Sequence, residues 1–499
     1  MGQRSSMVSD LTTEVSAGAG WPSSDAWAEA LDEARHIAMG YLVTLPESPV
    51  SRHIAPTEMA SRFDDPLPDT GCEPEEAVGE WLRRAAPGIV RSSGPRYFGF
   101  VTGGATPAAL AGDWLASALD QNAGTWLMSP AAAQTELTVV RWLLDLFSLP
   151  ASWSGALTTG ATAANLCGLA AGRQWVSHRL GFDAARDGLG GKPPIPVISS
   201  QEIHQSALKA LSILGLGRDA LRVVPARAGV IDLDTFARTL GECEGPAIVV
   251  ANAGEVNTGA FDPIRAMAER CAVHTPGVWL HVDAAFGLYA ALSPRHADVL
   301  DGIALADSVA SDAHKWLNVP YDCGIAFVRD RAPLRETFGG AAAYLNTNSN
   351  ATAGAEEWNA LEYVPEMSRR FRALAAWCSL RSMGRQGYEA IVARSVANAE
   401  AFAAWVAAQS DLELMAPAHL NIVCFRARDA ARDDPANDAL TNAVIEAIQR
   451  GGAAYVTGTR WDGRAAIRAA FDNWSTTADD VVALQQAVAD ATATCLAQL

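Results

Sequence analysis

Lysine is almost missing from this sequence of 499 residues: of 38 basic side chains three are lysines, at positions 192, 209 and 315, and the other 35 are arginines. Lysine is therefore not the routine surface cation here, and each one kept asks for its own explanation. The eight cysteines form no CxxC pair and follow no regular spacing. That excludes a zinc-ribbon framework or a disulfide scaffold, and no metal site is expected. Positive charge is in deficit, with a formal net charge of −18. A chain of that sign repels phosphate backbones and anionic lipid, so neither nucleic acid nor a membrane surface is an expected partner. Long uncharged apolar runs are absent, and the first 24 residues hold no apolar core of signal-peptide length. A soluble, cytoplasmic protein is expected.

What is present is the composition of an ordinary globular chain, 49% hydrophobic and 19% charged. Its length exceeds what one core serves, which implies two or three packed domains. Residues 1–94 read as a small polar tail followed by a helical arm broken by LPESPV and DDPLPD. From about 95 to 375, short apolar runs alternate with Ala- and Leu-rich helical stretches. PVISS, LRVVPA, AIVVANAG, VWLHVDAA, DSVASDA and CGIAFV are the strand candidates. Strands apolar on both faces and separated by helices imply an α/β fold, with a mostly parallel central sheet covered by helices on both sides. Ligands of such sheets sit beyond the carboxyl ends of the strands. Residues 376–499 read as a smaller α+β domain.

The chemistry starts from the lysines. Lys192 lies in a Gly/Pro loop and Lys209 in an amphipathic helix, both solvated settings, whereas Lys315 follows a strand between His314 and Trp316. An arginine can carry a surface charge equally well, but a lysine amine can lose its proton and attack a carbonyl. TTGATAANL (158–166) places Ala161 and Thr162 at the start of a helix, where free amide N–H groups suit a phosphate dianion. A bare helix cap explains that stretch equally well. HVDAAFG (281–287) ends an apolar strand on Asp283, an expensive buried charge unless paired with a cation, and Ala285 after it leaves room for a flat ring. His204, at a strand-to-helix junction, can stack on an aromatic ligand. Taken singly, Asp283 is as readily a helix N-cap and His204 a structural residue. Together, an anion cradle, a stacking imidazole, a strand-end acid and a nucleophilic amine are the groups that pyridoxal phosphate needs.

These motifs, with PRYFGFV, SPAAAQTELTVVRWLLDL, DAHKWLNVPYDCG and RRFRALAAW, resemble the pyridoxal-phosphate-dependent group II amino acid decarboxylases over most of the chain. The resemblance implies a fold-type-I transferase-like architecture and a homodimer with its sites at the subunit interface, clasped by the N-terminal helices. It implies Lys315 as the Schiff-base lysine, His204 over the ring, Asp283 on the pyridine nitrogen and Ala285 beneath it. Ala161 and Thr162 would hold the phosphate, and Asp312 and His314 would complete the cofactor site, although Asp312 stands where some relatives carry Asn. The implied reaction is decarboxylation of an L-amino acid, a small-molecule substrate, to an amine and carbon dioxide. Two departures bear on it. The tyrosine of the family's mobile loop is expected near Ala360, with Tyr344 and Tyr363 the nearest tyrosines. GEVNTGAFDP offers Glu255, Val256 and Asn257 where relatives carry adjacent threonines. Transamination or an oxidative, aldehyde-forming decarboxylation is the alternative, and a silent scaffold homologue a third. The stretches 97–107 and 126–129 are expected to line the substrate pocket. With no arginine clamp evident beyond Arg96, they favour an aromatic or bulky apolar side chain.

Overall fold

The computed structural model describes residues 24–340 and 358–498, so Tyr344 and most of the expected lid loop lie outside the described residues. The chain divides into two compact units, Met1–Arg91 and Ser92–Leu499.

The first unit contains helices Ser24–Thr44, Pro56–Ser61 and Pro74–Ala85. Proline opens two of them, where its missing N–H costs nothing and its fixed φ favours the first turn. Arg84 joins Asp65 and Glu80, and the Arg91 guanidinium lies 5.4 Å from the centre of the Tyr41 ring. Little is buried: Trp27, Leu31, Met39, Val43 and Trp81 are all exposed.

The second unit is built on a seven-stranded sheet. Its strands are β1 (Ser154–Thr158), β2 (Val197–Ser200), β3 (Leu221–Val224), β6 (Ala247–Asn252), β7 (Val278–Asp283), β8 (Ser308–Asp312) and β9 (Gly324–Val328), in the order β1-β9-β8-β7-β6-β2-β3. The pairs β3–β2, β2–β6, β6–β7 and β7–β8 are parallel. Every residue of β6 is buried. Ala247, Val249 and Ala251 join one core while Ile248 and Val250 join another, as a period of two requires of a strand covered on both faces. The mostly parallel α/β sheet expected from the sequence is therefore present. Two of its features differ from expectation. β1 was not among the strand candidates, because SGALT is short and built of small residues. β9 runs antiparallel to both neighbours, a direction its composition does not encode.

Strands β4 (Ala226–Arg227) and β5 (Val230–Ile231) form a small ribbon. A second, antiparallel sheet is made of β10 (Leu412–Leu414), β11 (Ile422–Ala427), β12 (Thr457–Trp461) and β13 (Arg464–Ala470), in the order β10-β11-β13-β12. Its core joins Phe425 and Ile467 to Leu440 and Leu484 of helices Asp434–Gly451 and Ala478–Ala497, and to Phe402 of helix Ala373–Ala407.

The register of the large sheet builds the site. Thr158 and Asp312, ending β1 and β8, both sit opposite Gly324, and Asp283 ends the adjacent β7. The carboxyl ends of these strands thus gather at one edge, where the helix Ala161–Arg179 begins.

Candidate active site

Lys315 lies three residues beyond β8, and its Nζ is 3.2 Å from Asp312 Oδ2. The other oxygen of Asp312 accepts the Ala161 N–H at 2.5 Å and stands 3.4 Å from His314 Nδ1. The Lys315 ammonium is 5.8 Å from the centre of the Phe286 ring. One acid therefore joins the amine to the helix N-terminus.

Asp283 is buried. Its Oδ2 accepts from Asn165 Nδ2 at 2.8 Å and its Oδ1 from the Ala285 N–H at 3.2 Å. Both partners are neutral donors, and among the described residues no cation pairs with it. A buried carboxylate so placed keeps a demand for positive charge that a protonated ring nitrogen satisfies. His204 caps the helix Gln205–Ile213, its Nδ1 accepting the Ser206 N–H at 3.2 Å and facing Ser206 Oγ at 2.7 Å. Its ring is open to the cavity, yet the surrounding walls shield it from bulk water and lower its pKa below the ordinary value. Loss of hydration lowers that of His314 in the same way.

A cavity of about 650 Å³, a size that suits a cofactor together with a small substrate, opens over these groups. Ala161, Thr162, His204 and Ala285 line it, as do Asp312, His314 and Lys315, while Asp283 stands behind Ala285. The structure thus brings all eight residues singled out in the sequence to one place. Tyr97, Phe100, Val101 and Tyr321 form an aromatic and apolar wall. Residues 126–129, expected to share in the pocket, are not part of its lining.

Arg468 on β13 was missed by the sequence reading. It is buried, lines the cavity, donates from Nη1 to the Val256 carbonyl at 3.0 Å, and its Nε has no hydrogen-bond partner among the described residues. Its signal was an arginine set inside the apolar strand AAIRAAFD, where a charge needs a reason. The arginine that was named, Arg96, instead donates to the Ala453 carbonyl and is not on the cavity wall. Glu255, also on the wall, accepts from the Asn257 and Thr258 N–H groups at 2.7 and 2.8 Å and from Thr258 Oγ1 at 3.0 Å; burial raises its pKa.

Residues 56–428 match the profile of the pyridoxal-dependent decarboxylase conserved domain. The chain belongs to that family, and it is a pyridoxal-phosphate-dependent amino acid decarboxylase by class. It is 28% identical over 463 residues to an aromatic-L-amino-acid decarboxylase of Bacillus atrophaeus, covering 91% of this chain and 93% of the relative. It is 32% identical to an L-2,4-diaminobutyrate decarboxylase of Rhizobium meliloti, covering 85% and 83% respectively. The solved structure of Oryza sativa TDC with PLP and tryptamine superposes with a TM-score of 0.87 at 25% identity, covering 96% of this chain and 99% of that one. The fold is thereby that of the fold-type-I enzymes.

The residues present fit this cofactor. A buried acid awaiting a cation, an amine on the cavity wall and a helix N-terminus opening into the same space are the three groups it requires.

Proposed function

We propose that this chain decarboxylates an L-amino acid with an aromatic or bulky apolar side chain, releasing the amine and carbon dioxide. The observation that carries the reading is the Lys315 amine in a cavity whose other walls supply an aromatic face and one buried arginine. Pyridoxal phosphate, when bound, supplies the electron sink that makes carbon dioxide a leaving group. Lys315 would contribute the amine that anchors it, and Ala161 and Thr162 at the helix N-terminus would hold its phosphate, the Ala161 N–H being shared with Asp312. Asp283 holds the proton on its ring nitrogen, and the small side chain of Ala285 lets a flat ring approach. His204 closes the site from the Gln205 helix. Arg468 binds the substrate carboxylate and so orients the bond to be broken. Tyr97, Phe100, Val101 and Tyr321 receive the side chain.

One observation favours a second reading, in which the product is an aldehyde. Ala360, where the family's loop tyrosine is expected, is a buried alanine with no proton to give, and the ring of nearby Tyr363 stacks on Trp358 at 4.5 Å. A panel of L-amino acids assayed for carbon dioxide, with the organic product identified as amine, aldehyde or keto acid, decides between the two. Amine from an aromatic substrate supports the first reading, and aldehyde formed with oxygen uptake replaces it by the second.

The exposed aromatic and aliphatic side chains of the helical arm, Trp27, Leu31, Met39 and Val43, support its role as a dimerisation element. The small antiparallel sheet and its core, which Phe98 joins, support reading 376–499 as an α+β part of the unit Ser92–Leu499 and not as a separate compact unit. All eight cysteines are free thiols, which suits a reducing compartment such as the cytoplasm.

A further inference from the structure

The face of helix Ala161–Arg179 that meets β7 is made of Asn165, Gly168 and Gly172, and β7 answers with the alternate residues Trp279, His281 and Asp283. The two glycines set the approach. A Cβ at Gly168 would stand 2.5 Å from the His281 ring, and one at Gly172 would stand 2.7 Å from the Trp279 indole. Packed this closely, Asn165 reaches both His281 and Asp283.

Hydrogen-bond polarity then follows from the residues alone. The ionised Asp283 can only accept, so Asn165 turns its amide nitrogen that way. One hydrogen goes to Asp283 Oδ2 at 2.8 Å and the other to Ser206 Oγ at 3.0 Å. The amide oxygen faces His281 Nε2 at 2.8 Å, which must carry a proton. His281 Nδ1 is left to accept from Ser308 Oγ at 2.8 Å, and that hydroxyl accepts the Trp279 indole N–H at 2.9 Å. Burial lowers the His281 pKa to about 4, so the ring is neutral at physiological pH, as the pattern demands. On the other branch Ser206 Oγ, already accepting from Asn165, donates to His204 Nδ1 at 2.7 Å. The Ser206 N–H approaches the same nitrogen from 3.2 Å, the longer of the two contacts, so the hydroxyl that Asn165 orients is the closer donor to Nδ1.

We propose that Asn165 is a positioning residue that couples the orientation of Asp283 to the tautomer of His204, holding Nδ1 of that imidazole unprotonated and its proton on Nε2, at the cavity wall. The inference rests on the functional reading above, because bound cofactor is what gives both groups a task. It adds that they are set as a pair, through a buried side chain that is not part of the cavity lining.

The imidazole nitrogen NMR shifts of the cofactor-free protein test it, with the His204 signals assigned from H204Q. The wild type should show His204 as the Nε2–H tautomer at neutral pH. In Asn165→Ala the ring should become a mixture of tautomers while the protein stays folded; Asn165→Ser, which keeps a small polar group against β7, replaces it if the alanine variant does not fold. With cofactor and substrate, the variant should lose about 10- to 100-fold in kcat, the usual effect of removing an orienting partner, with KM nearly unchanged. An Nδ1–H tautomer in the wild type, or an unchanged wild-type tautomer in a folded Asn165 variant, overturns the inference. Failure of the functional reading shows differently, as the absence of a reducible cofactor adduct on Lys315 in the wild type.

Discussion

Lys315 Nζ lies 3.2 Å from Asp312 Oδ2, and the same carboxylate takes the Ala161 N–H through its other oxygen. The acid paired with the Lys315 amine therefore also occupies part of the helix N-terminus at which a phosphate is expected. A carboxylate and a phosphate dianion in one cradle repel each other, by about 2 kcal/mol at ~4 Å with the screening of bulk water and by up to about 8 kcal/mol at the effective dielectric constant near a protein surface.

Asp312→Asn keeps the shape and removes the charge. The cofactor dissociation constant, measured by titrating the cofactor-free protein and following its fluorescence, should fall about tenfold, equivalent to ~1.4 kcal/mol. Unphosphorylated pyridoxal should gain much less. A weaker dissociation constant for the phosphorylated form would show that Asp312 helps to bind the cofactor rather than competing with it.

Arg468 is a buried cation on the cavity wall, and the function proposed above gives it the substrate carboxylate as partner. Arg468→Gln should lower kcat/KM about 100-fold, the loss expected when one partner of a desolvated charge pair is removed (~2.7 kcal/mol). The visible spectrum of the bound cofactor should stay as in the wild type. If catalysis survives and only the spectrum shifts, Arg468 serves the cofactor instead.

Sequence legibility followed the distance over which each signal acts. Lys315 was readable because lysine is so scarce in this chain, and Asp283 because an acid closing an apolar strand is conspicuous. The parallel β2–β3 and β6–β8 core was readable from runs apolar on both faces, each short enough to be a strand. Arg468 was not, since nothing local ties β13 to a cavity whose amine lies more than 150 positions away. Asn165 stood inside a motif already noted, TTGATAANL, but its meaning comes from His281 and Ser206, which only the fold brings alongside. The direction of β9 was equally hidden, because strand polarity is set by the connection that precedes it.

Asp472, two residues beyond β13, is buried, and its Oδ2 has no hydrogen-bond partner among the described residues. Burial raises its pKa to about 7, against an opposing pull from the positive charge of Lys315. In the unfolded chain it ionises near the ordinary value of about 3.9. Between these values the folded state holds a proton that the unfolded state has released, so this group's contribution to stability is full below about pH 4 and is lost as pH rises toward 7. Asp472→Asn removes the dependence. The melting temperature of the variant relative to wild type should climb from pH 4 to pH 7 and then level off; a constant difference across that range contradicts the assignment.

The central claim is that Lys315 is the amine that binds the cofactor aldehyde, and the scarcity of lysine makes it directly testable. The wild-type protein is incubated with pyridoxal phosphate, reduced with borohydride, digested and mapped by mass spectrometry. The account predicts a reduced pyridoxyl adduct on the peptide carrying Lys315, with Lys192 and Lys209 unmodified. An adduct confined to either of those two, or none at all, would contradict it.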